Sequence, residues 1–277
     1  MCGIIGYLGN RKVSEILLKG LKRLEYRGYD SCGIGVVDGN KLIIKKGAGK
    51  VNEVSKNENF LDVDGKIGIG HSRWATHGSI TRENAHPHTD CKGEIAVVHN
   101  GIISNYRELK EELIKEGHNF KSQTDTEVIP HLIEEEIRKL SKSQISQEDY
   151  INAVKKVIKR LEGTYALLIL NKNFPDLLLG VRNENPLLLG VKKEECFLGS
   201  DISAFLEWTK EVIPLEEGDM VILKRRGDKV SYSIYNLRDD KDVSNYRKKI
   251  TIEWDIETAE KGGYEHFMLK EIMEEPE

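Results

Sequence analysis

The sequence predicts a layered α+β fold. Many short apolar runs alternate with Gly-rich turns, as strands do, whereas helical periodicity is confined to a few stretches. Strands and helices do not alternate regularly, so a parallel βαβ repeat is not indicated. The chain of 277 residues is long enough for one large domain or two small ones, and no repeat or low-complexity linker divides it.

Charge, hydropathy and cysteine content narrow the classes of protein. Lys and Arg number 42 and Asp and Glu number 46, so the net charge of −4 offers no basic field, and neither nucleic acid nor a membrane is an expected partner. The longest apolar run, Tyr165–Leu170, is far shorter than the roughly 20 residues of a membrane helix. The N-terminus lacks the features of a secretory signal. Four dispersed cysteines do not suit a disulfide scaffold, which favours a reduced, cytoplasmic protein.

The first half combines strands with two helices. Lys12–Leu24 has apolar residues at helical spacing, and Asn105–Glu116 has the same pattern and ends at Gly117, a typical C-terminal cap. The turn Asp38-Gly39-Asn40 predicts a hairpin. The strands predicted here are Cys2–Tyr7, Gly33–Val37, Lys41–Lys45, Lys66–His71 and Glu94–Ile103.

The second half begins with helices at Thr126–Leu140 and Gln147–Leu161. Ser146 is a suitable N-cap for the later helix. Pro130 lacks an N–H, so we expect the earlier helix to start late or to kink there. A short helix is predicted at Ile202–Trp208. The strands predicted here are Tyr165–Leu170, Leu177–Val181, Leu187–Val191, Cys196–Gly199, Asp219–Lys224 and Lys229–Tyr235. A charged segment, 239–260, then precedes a helical pattern at Tyr264–Glu275.

Cys2 is the most informative position for chemistry. Initiator methionine is removed when the next side chain is small, and removal would give Cys2 a free α-amine with a pKa of about 7.7–8.0. This amine can take the thiol proton, directly or through water, so that Cys2 becomes a nucleophile without a histidine. The alternative is that Cys2 is a small buried residue of an edge strand.

Three further motifs carry polar groups suited to acyl transfer. Asn100-Gly101 follows a predicted strand and either supplies an amide and a backbone N–H to an oxyanion or forms a simple turn. Arg73 offers a planar fork to a carboxylate or forms a surface salt bridge, and the adjacent Trp74 would serve as a lid. Asp125 either stabilises a helix start or faces an ammonium group. Arg73 and Asp125 together would hold both ends of a free amino acid.

A histidine-rich segment raises a different hypothesis. Five of the eight histidines fall between His71 and His99, and Cys91 lies among them, so a zinc hydrolase is an alternative. The spacing does not support it, because neither H-E-x-x-H nor H-x-E followed by C-x-x-C occurs. We therefore expect neither a metal nor a cofactor.

Taken together, several segments closely resemble the N-terminal-nucleophile (class II) glutamine amidotransferases. The resemblance spans the whole chain and is specific. The segments that carry it are Met1-Cys2-Gly3-Ile4-Ile5-Gly6-Tyr7, Leu24-Glu25-Tyr26-Arg27-Gly28-Tyr29-Asp30-Ser31, Gly70-His71-Ser72-Arg73-Trp74-Ala75-Thr76-His77-Gly78, Glu83-Asn84-Ala85-His86-Pro87-His88, His99-Asn100-Gly101-Ile102-Ile103, Ser122-Gln123-Thr124-Asp125-Thr126-Glu127 and Gly263-Tyr264-Glu265-His266-Phe267-Met268-Leu269-Lys270-Glu271-Ile272.

The resemblance implies a role for each matching residue. Cys2 would be the nucleophile, with Asn100 and the Gly101 N–H as the oxyanion hole. Arg73 would bind the α-carboxylate of glutamine and Asp125 its α-ammonium group. The other implied substrate-site residues are Trp74, Thr76 and His77, in a loop that closes over glutamine, and Arg27 and His86, as supports of the site.

The resemblance also implies an architecture and partners. The family fold is a four-layer αββα sandwich. The segment 73–78 and the tail favour the branch in which ammonia converts fructose 6-phosphate to glucosamine 6-phosphate on a sugar-phosphate isomerase half. We then expect a glutaminase domain at 1–250, and a linker with the first segment of that half at 251–277. The full-length protein is expected to form a homodimer, mainly through that half. The remaining alternative is a non-catalytic domain that binds amino acids for regulation.

Overall fold

The computed structural model describes residues 2–75 and 78–253. In this part of the chain the α-helices are α1 (Val13–Leu24), α2 (Val51–Asn57), α3 (Tyr106–Lys115), α4 (Val128–Lys139) and α5 (Gln147–Ile158). The strands are β1 (Gly3–Leu8), β2 (Ser31–Asp38), β3 (Lys41–Ala48), β4 (Ile67–Arg73), β5 (His88–Thr89), β6 (Ile95–Ile103), β7 (Gly163–Asn171), β8 (Leu177–Asn183), β9 (Leu188–Val191), β10 (Cys196–Gly199), β11 (Glu211–Pro214), β12 (Asp219–Arg226), β13 (Lys229–Asn236), β14 (Lys241–Asp242) and β15 (Ile250–Thr251).

The strands form two antiparallel sheets. The first sheet has the order β15-β11-β9-β10-β1-β4-β2-β3, and the second has the order β14-β13-β12-β8-β7-β6-β5. β1 therefore lies inside the first sheet, between β10 and β4, and β6 lies next to the edge of the second. This arrangement gives both strands neighbours on each side, which fixes their register.

Alternation along the strands explains why the sheets stack. In β1, Ile4 and Leu8 enter the core between the two sheets, whereas Ile5 and Tyr7 pack with α1 on the outer face. β7 divides its side chains in the same way between the central core and the core that includes α3, α4 and α5. Because successive side chains of a strand point to opposite faces, each sheet is buried on both sides. The result is the predicted four-layer αββα sandwich.

Several local predictions are confirmed. Ser146 caps α5 through a reciprocal hydrogen-bond pair with Asp149. Helix α4 starts late, at Val128, which places Pro130 in its first turn, where the missing N–H costs little. The hairpin turns at Gly39, whose φ is +56°. These helix caps and turns could therefore be predicted from the local sequence.

Other local features differ from the predictions or go beyond them. The helix predicted at Ile202–Trp208 is a single 3-10 turn, Ile202–Ala204, because Phe205, with φ −138° and ψ 5°, leaves the helical conformation and stacks with Phe197. Helix α2 was not predicted, since it has only seven residues. β15 spans the predicted domain boundary at residue 250 and pairs with β11. The helix predicted at Tyr264–Glu275 lies outside the described residues. None of the helices in the described ranges is long and apolar enough to cross a membrane.

Candidate active site

The Cys2 thiol lies beside the end of strand β4. Gly3 pairs with Ser72, so the residue before β1 lies next to the residues that follow β4. The backbone N–H of Trp74 donates to Cys2 Sγ at 3.2 Å, and Sγ lies 3.4 Å from the carbonyl oxygen of Trp74. The thiol is therefore held by one backbone N–H before any substrate arrives.

Asn100 connects the backbone of Cys2 to the second sheet. It lies near the end of β6, and its Nδ2 donates to the carbonyl oxygen of Cys2 at 2.9 Å. The pleat of the strands explains this contact: Val98 of β6 and Ile4 of β1 face the central core, Asn100 lies two residues after Val98, and Cys2 lies two residues before Ile4. The amide and the thiol thus share one end of the space between the sheets.

The backbone geometry at position 101 requires a glycine. Its φ is +129°, and a Cβ placed there would lie 2.0 Å from the carbonyl oxygen of Thr164 in the paired strand. An L-residue is therefore disfavoured twice, by the torsion and by the contact. The requirement for glycine at this position keeps the backbone next to Asn100 open to a close approach.

We expect Gly101→Ala to lower the free energy of unfolding by about 2 kcal/mol or more, because strain and a backbone clash combine. Urea unfolding measures the change. Gly227→Ala is the matched control, since Gly227 also has a positive φ, +59°, but no atom lies within 4 Å of a Cβ there. Equal losses in the two variants would contradict the argument from the Thr164 contact.

Arg73 and Asp125 carry opposite charges and lie within electrostatic reach of each other. Arg73 is the last residue of β4 and shares the parity of Ile67 and Ile69, which face the central core. Burial lowers the pKa of Arg73, whereas the negative charges of Cys2, Asp30 and Asp125 raise it, which marks these groups as its electrostatic neighbours. Asp125 is 5% exposed, and its Oδ2 accepts the N–H of Ile103 at 2.7 Å.

Burial affects the protonation of the Cys2 thiol. It raises the pKa of the Cys2 thiol above the ordinary value, although the N–H of Trp74 and the charge of Arg73 lower it. A thiol of raised pKa is mostly protonated at neutral pH, and only the thiolate is a good nucleophile. The site therefore needs a base within reach of Sγ.

The segment after β4 is anchored by residues that sequence reasoning left without a role. Asp30 Oδ2 accepts the N–H of Ala75 at 2.8 Å, and the Asp30 N–H donates to the carbonyl of Arg73 at 3.0 Å. A Cβ at Gly28 would lie 2.6 Å from the carbonyl carbon of Arg73. Both residues lie in a segment used for the family resemblance, but no spacing pattern connects Asp30 with a residue 45 positions later.

A second anchor ties this segment to the loop of Asp125. Asn84 Nδ2 donates to the carbonyl of Ser79 at 2.9 Å and to Gln123 Oε1 at 3.0 Å. The Gln123 N–H donates back to Asn84 Oδ1 at 2.8 Å. The loop that follows Arg73 and the loop that carries Asp125 are therefore coupled through one amide pair.

The remaining predicted site residues have different surroundings. Trp74 is 45% exposed and meets the ring of Tyr29 edge-on at 5.7 Å, a position open enough for a lid. Arg27 pairs with Asp201 at 2.6 Å, so its contacts brace the chain after β10. His86 stacks on His71 at 4.1 Å beneath β6. Thr76 and His77 lie outside the described residues.

The described histidines of this segment, His71, His86, His88 and His99, do not form a metal centre with one another. His71 Nε2 lies 3.0 Å from the carbonyl of His99, His88 Nε2 lies 3.0 Å from Thr124 Oγ1, and His99 Nδ1 lies 2.9 Å from Thr126 Oγ1. Burial lowers the pKa of all of them, that of His71 to about 3. These rings are neutral hydrogen-bonding residues of the core. The structure therefore does not support a zinc hydrolase built on His71–His99.

Comparison with known proteins gives the family. A family model described as a glutamine amidotransferase domain matches residues 71–207. The chain is 64% identical over 276 residues to a glutamine–fructose-6-phosphate aminotransferase (isomerizing) of Methanococcus maripaludis, and 50% identical to one of Pyrococcus horikoshii. All of this chain is covered in both cases, but only 45% and 44% of the relatives, so it spans about half their length.

Solved structures agree with this assignment. A glutamine phosphoribosylpyrophosphate amidotransferase from B. subtilis superposes with a TM-score of 0.69 at 29% identity, covering 83% of this chain and 48% of the other. A class II glutamine aminotransferase domain protein from Silicibacter pomeroyi has the same fold at 15% identity and a TM-score of 0.53. The chain therefore belongs to the glutamine amidotransferase family, in its N-terminal-nucleophile class.

Proposed function

We propose that this chain hydrolyses L-glutamine to glutamate and ammonia through a thioester on Cys2. One observation carries the proposal: Cys2 Sγ accepts the N–H of Trp74 while the Cys2 carbonyl accepts Asn100 Nδ2, so a thiol and an amide donor meet at one edge of the two sheets. Attack on a carboxamide requires a nucleophile and a donor to the oxyanion. The thiol can serve as the nucleophile and the amide as the donor.

The first chemical step is attack on the side-chain amide of glutamine. After removal of Met1, the α-amine of Cys2 takes the thiol proton, and Sγ forms a bond to the amide carbon. The oxyanion that develops is held by Asn100 and the N–H of Gly101. The amine then returns the proton to the nitrogen, the carbon–nitrogen bond breaks, and ammonia leaves. Water hydrolyses the γ-glutamyl thioester in the second step, which releases glutamate and restores the thiol.

The two ends of glutamine are matched by opposite charges. We assign the α-carboxylate to Arg73, whose planar fork suits a carboxylate, and the α-ammonium group to Asp125. Trp74, Thr76 and His77 belong to the segment that closes over the bound substrate in this proposal. Arg27 and His86 support the site indirectly: Arg27 forms the ion pair with Asp201, and His86 stacks on His71.

The role of the whole protein rests on its relatives. We propose that the ammonia is used to convert fructose 6-phosphate to glucosamine 6-phosphate on a further half of the protein, as the names of the relatives suggest. Residues 1–250 then form the glutaminase domain and 251–277 lead toward that half, although the pairing of β15 with β11 and the packing of Ile252 favour a domain that extends at least to residue 252. A homodimer formed mainly through the other half and a cytoplasmic location complete the proposal. The unbridged cysteines favour that location.

The test combines N-terminal mass spectrometry with an assay of glutamate and ammonia. We expect protein that has lost Met1 to release both products in equal amounts. The matched control is protein made while methionine aminopeptidase is inhibited, because a blocked amine cannot serve as the base. Activity should follow the processed fraction. Processed protein that binds glutamine without hydrolysing it would instead indicate a non-catalytic amino-acid-binding domain.

A further inference from the structure

Four side chains with metal-binding atoms converge away from the candidate active site. They are Cys91, His118, His131 and Glu134, and their ligand atoms all lie within 4.8 Å of one another. They come from three parts of the chain: the turn between β5 and β6, the residues just after α3, and helix α4. This separation explains why spacing within 71–99 gave no metal motif.

Five of the six distances among these ligand atoms are close to those of a tetrahedral metal site. Cys91 Sγ lies 3.6 Å from His118 Nδ1 and 3.5 Å from His131 Nδ1, and the two Nδ1 atoms are 3.2 Å apart. Glu134 Oε2 lies 3.4 Å from His118 Nδ1 and 3.8 Å from His131 Nδ1. Zinc bonds of about 2.0–2.3 Å in a tetrahedron place neighbouring ligand atoms roughly 3.3–3.6 Å apart.

The Nε2 atoms of His118 and His131, which point away from the cluster, face carboxylates. His118 Nε2 lies 3.3 Å from Glu135 Oε2, and His131 Nε2 lies 3.7 Å from Glu127 Oε1. A carboxylate behind a ring favours the tautomer with its proton on Nε2, which leaves the Nδ1 lone pair directed at the cluster. Metal-binding histidines use this carboxylate–histidine arrangement.

Without a cation, this convergence is unfavourable. A proton between two of the atoms satisfies only those two, whereas a metal ion satisfies all four at once. Both histidine side chains are almost fully buried, with exposures of 4% and 1%, so water cannot readily replace the missing partner. A thiolate and two imidazoles with one carboxylate select Zn²⁺ over Mg²⁺ or Ca²⁺, which prefer oxygen.

We propose that Cys91, His118, His131 and Glu134 bind one structural Zn²⁺ ion. Four protein ligands close the coordination sphere, so no position remains for a catalytic water. The ion would fasten the β5–β6 turn to α4 and to the start of the loop 116–127, in which Asp125 lies. The site is thus a brace for that loop and not part of the glutamine chemistry.

Metal analysis of the purified protein, made without an affinity tag, tests the proposal. We expect about one zinc per chain in the unaltered protein and in Cys32→Ala, and less than about a tenth of that in Cys91→Ser. Both variants remove one thiol. Cys91 is exposed, so its replacement leaves the core intact, and Cys32 is a buried cysteine outside the cluster. Equal zinc in the two variants, or no uptake by any of the three proteins, would overturn the proposal.

Cobalt replacement gives a second readout. The Co²⁺-loaded protein should show thiolate-to-cobalt charge transfer and the intense visible bands of a tetrahedral site, and Cys91→Ser should lose the charge-transfer band. Chelation should lower the melting temperature of the unaltered protein and of Cys32→Ala but not that of Cys91→Ser. A six-coordinate cobalt spectrum without charge transfer would contradict the thiolate ligand.

Discussion

Replacing Cys2 by alanine is expected to abolish glutamine hydrolysis, with kcat/KM falling at least about 10⁴-fold. The reason is specific: the variant keeps the Trp74 N–H, the Asn100 amide and the charges of Arg73 and Asp125, but it has no atom that can form the thioester. Release of glutamate, measured by an enzyme-coupled assay, gives the result.

The control for this variant separates chemistry from folding. Cys32→Ala also removes a thiol from the first sheet but should keep its activity, because Cys32 is a packing residue of β2. Glutamine affinity, measured by calorimetry, should change only a few-fold in Cys2→Ala. Retention of more than a tenth of the activity would show that Cys2 is not the nucleophile.

The second large effect is a loss of stability in mild acid. His71, His86, His88 and His99 are buried, and burial lowers the pKa of each, that of His71 to about 3. The unfolded chain takes up protons near pH 6.5, whereas the folded chain does not. Stability is therefore full above pH 6.5 and falls as the pH drops, by about 1.4 kcal/mol per pH unit for His71 alone.

The other three histidines make this slope steeper. Urea unfolding at pH 7.5, 6 and 5 measures the slope, and His71→Gln should flatten it. A free energy of unfolding that is constant over this range would contradict the prediction.

Periodic and local signals made much of the fold predictable. The strands β1, β6 and β7 carry long apolar runs, and α5 has an explicit cap at Ser146, so each could be located from neighbours in the sequence. The four layers were inferred from family resemblance, and the alternation of Ile4 with Ile5 now gives the physical reason. Short elements such as α2 carry too few residues for a pattern.

The sequence suggested candidate residues for the site but not how they meet in space. Cys2 and Asn100-Gly101 stood out because of residue type and position. The roles of Asp30 and Asn84 depend on single hydrogen bonds to distant parts of the chain, which no spacing encodes. The zinc ligands show the same limit: Cys91 and His131 are 40 residues apart and meet only because α4 packs near the β5–β6 turn.

The bond between Asn100 and the Cys2 carbonyl has a mechanical consequence. In the proposed mechanism the nucleophile, Cys2, adjoins one sheet and the oxyanion donor, Asn100, belongs to the other, so their alignment depends on how far the sheets slide across each other. That sliding is resisted by the interlocked side chains between them, among which Ile4, Val98 and Leu168 are fully buried. In this mechanism the resistance of the central core to shear keeps Cys2 and Asn100 aligned. Core residues that do not contact glutamine therefore help to determine that alignment.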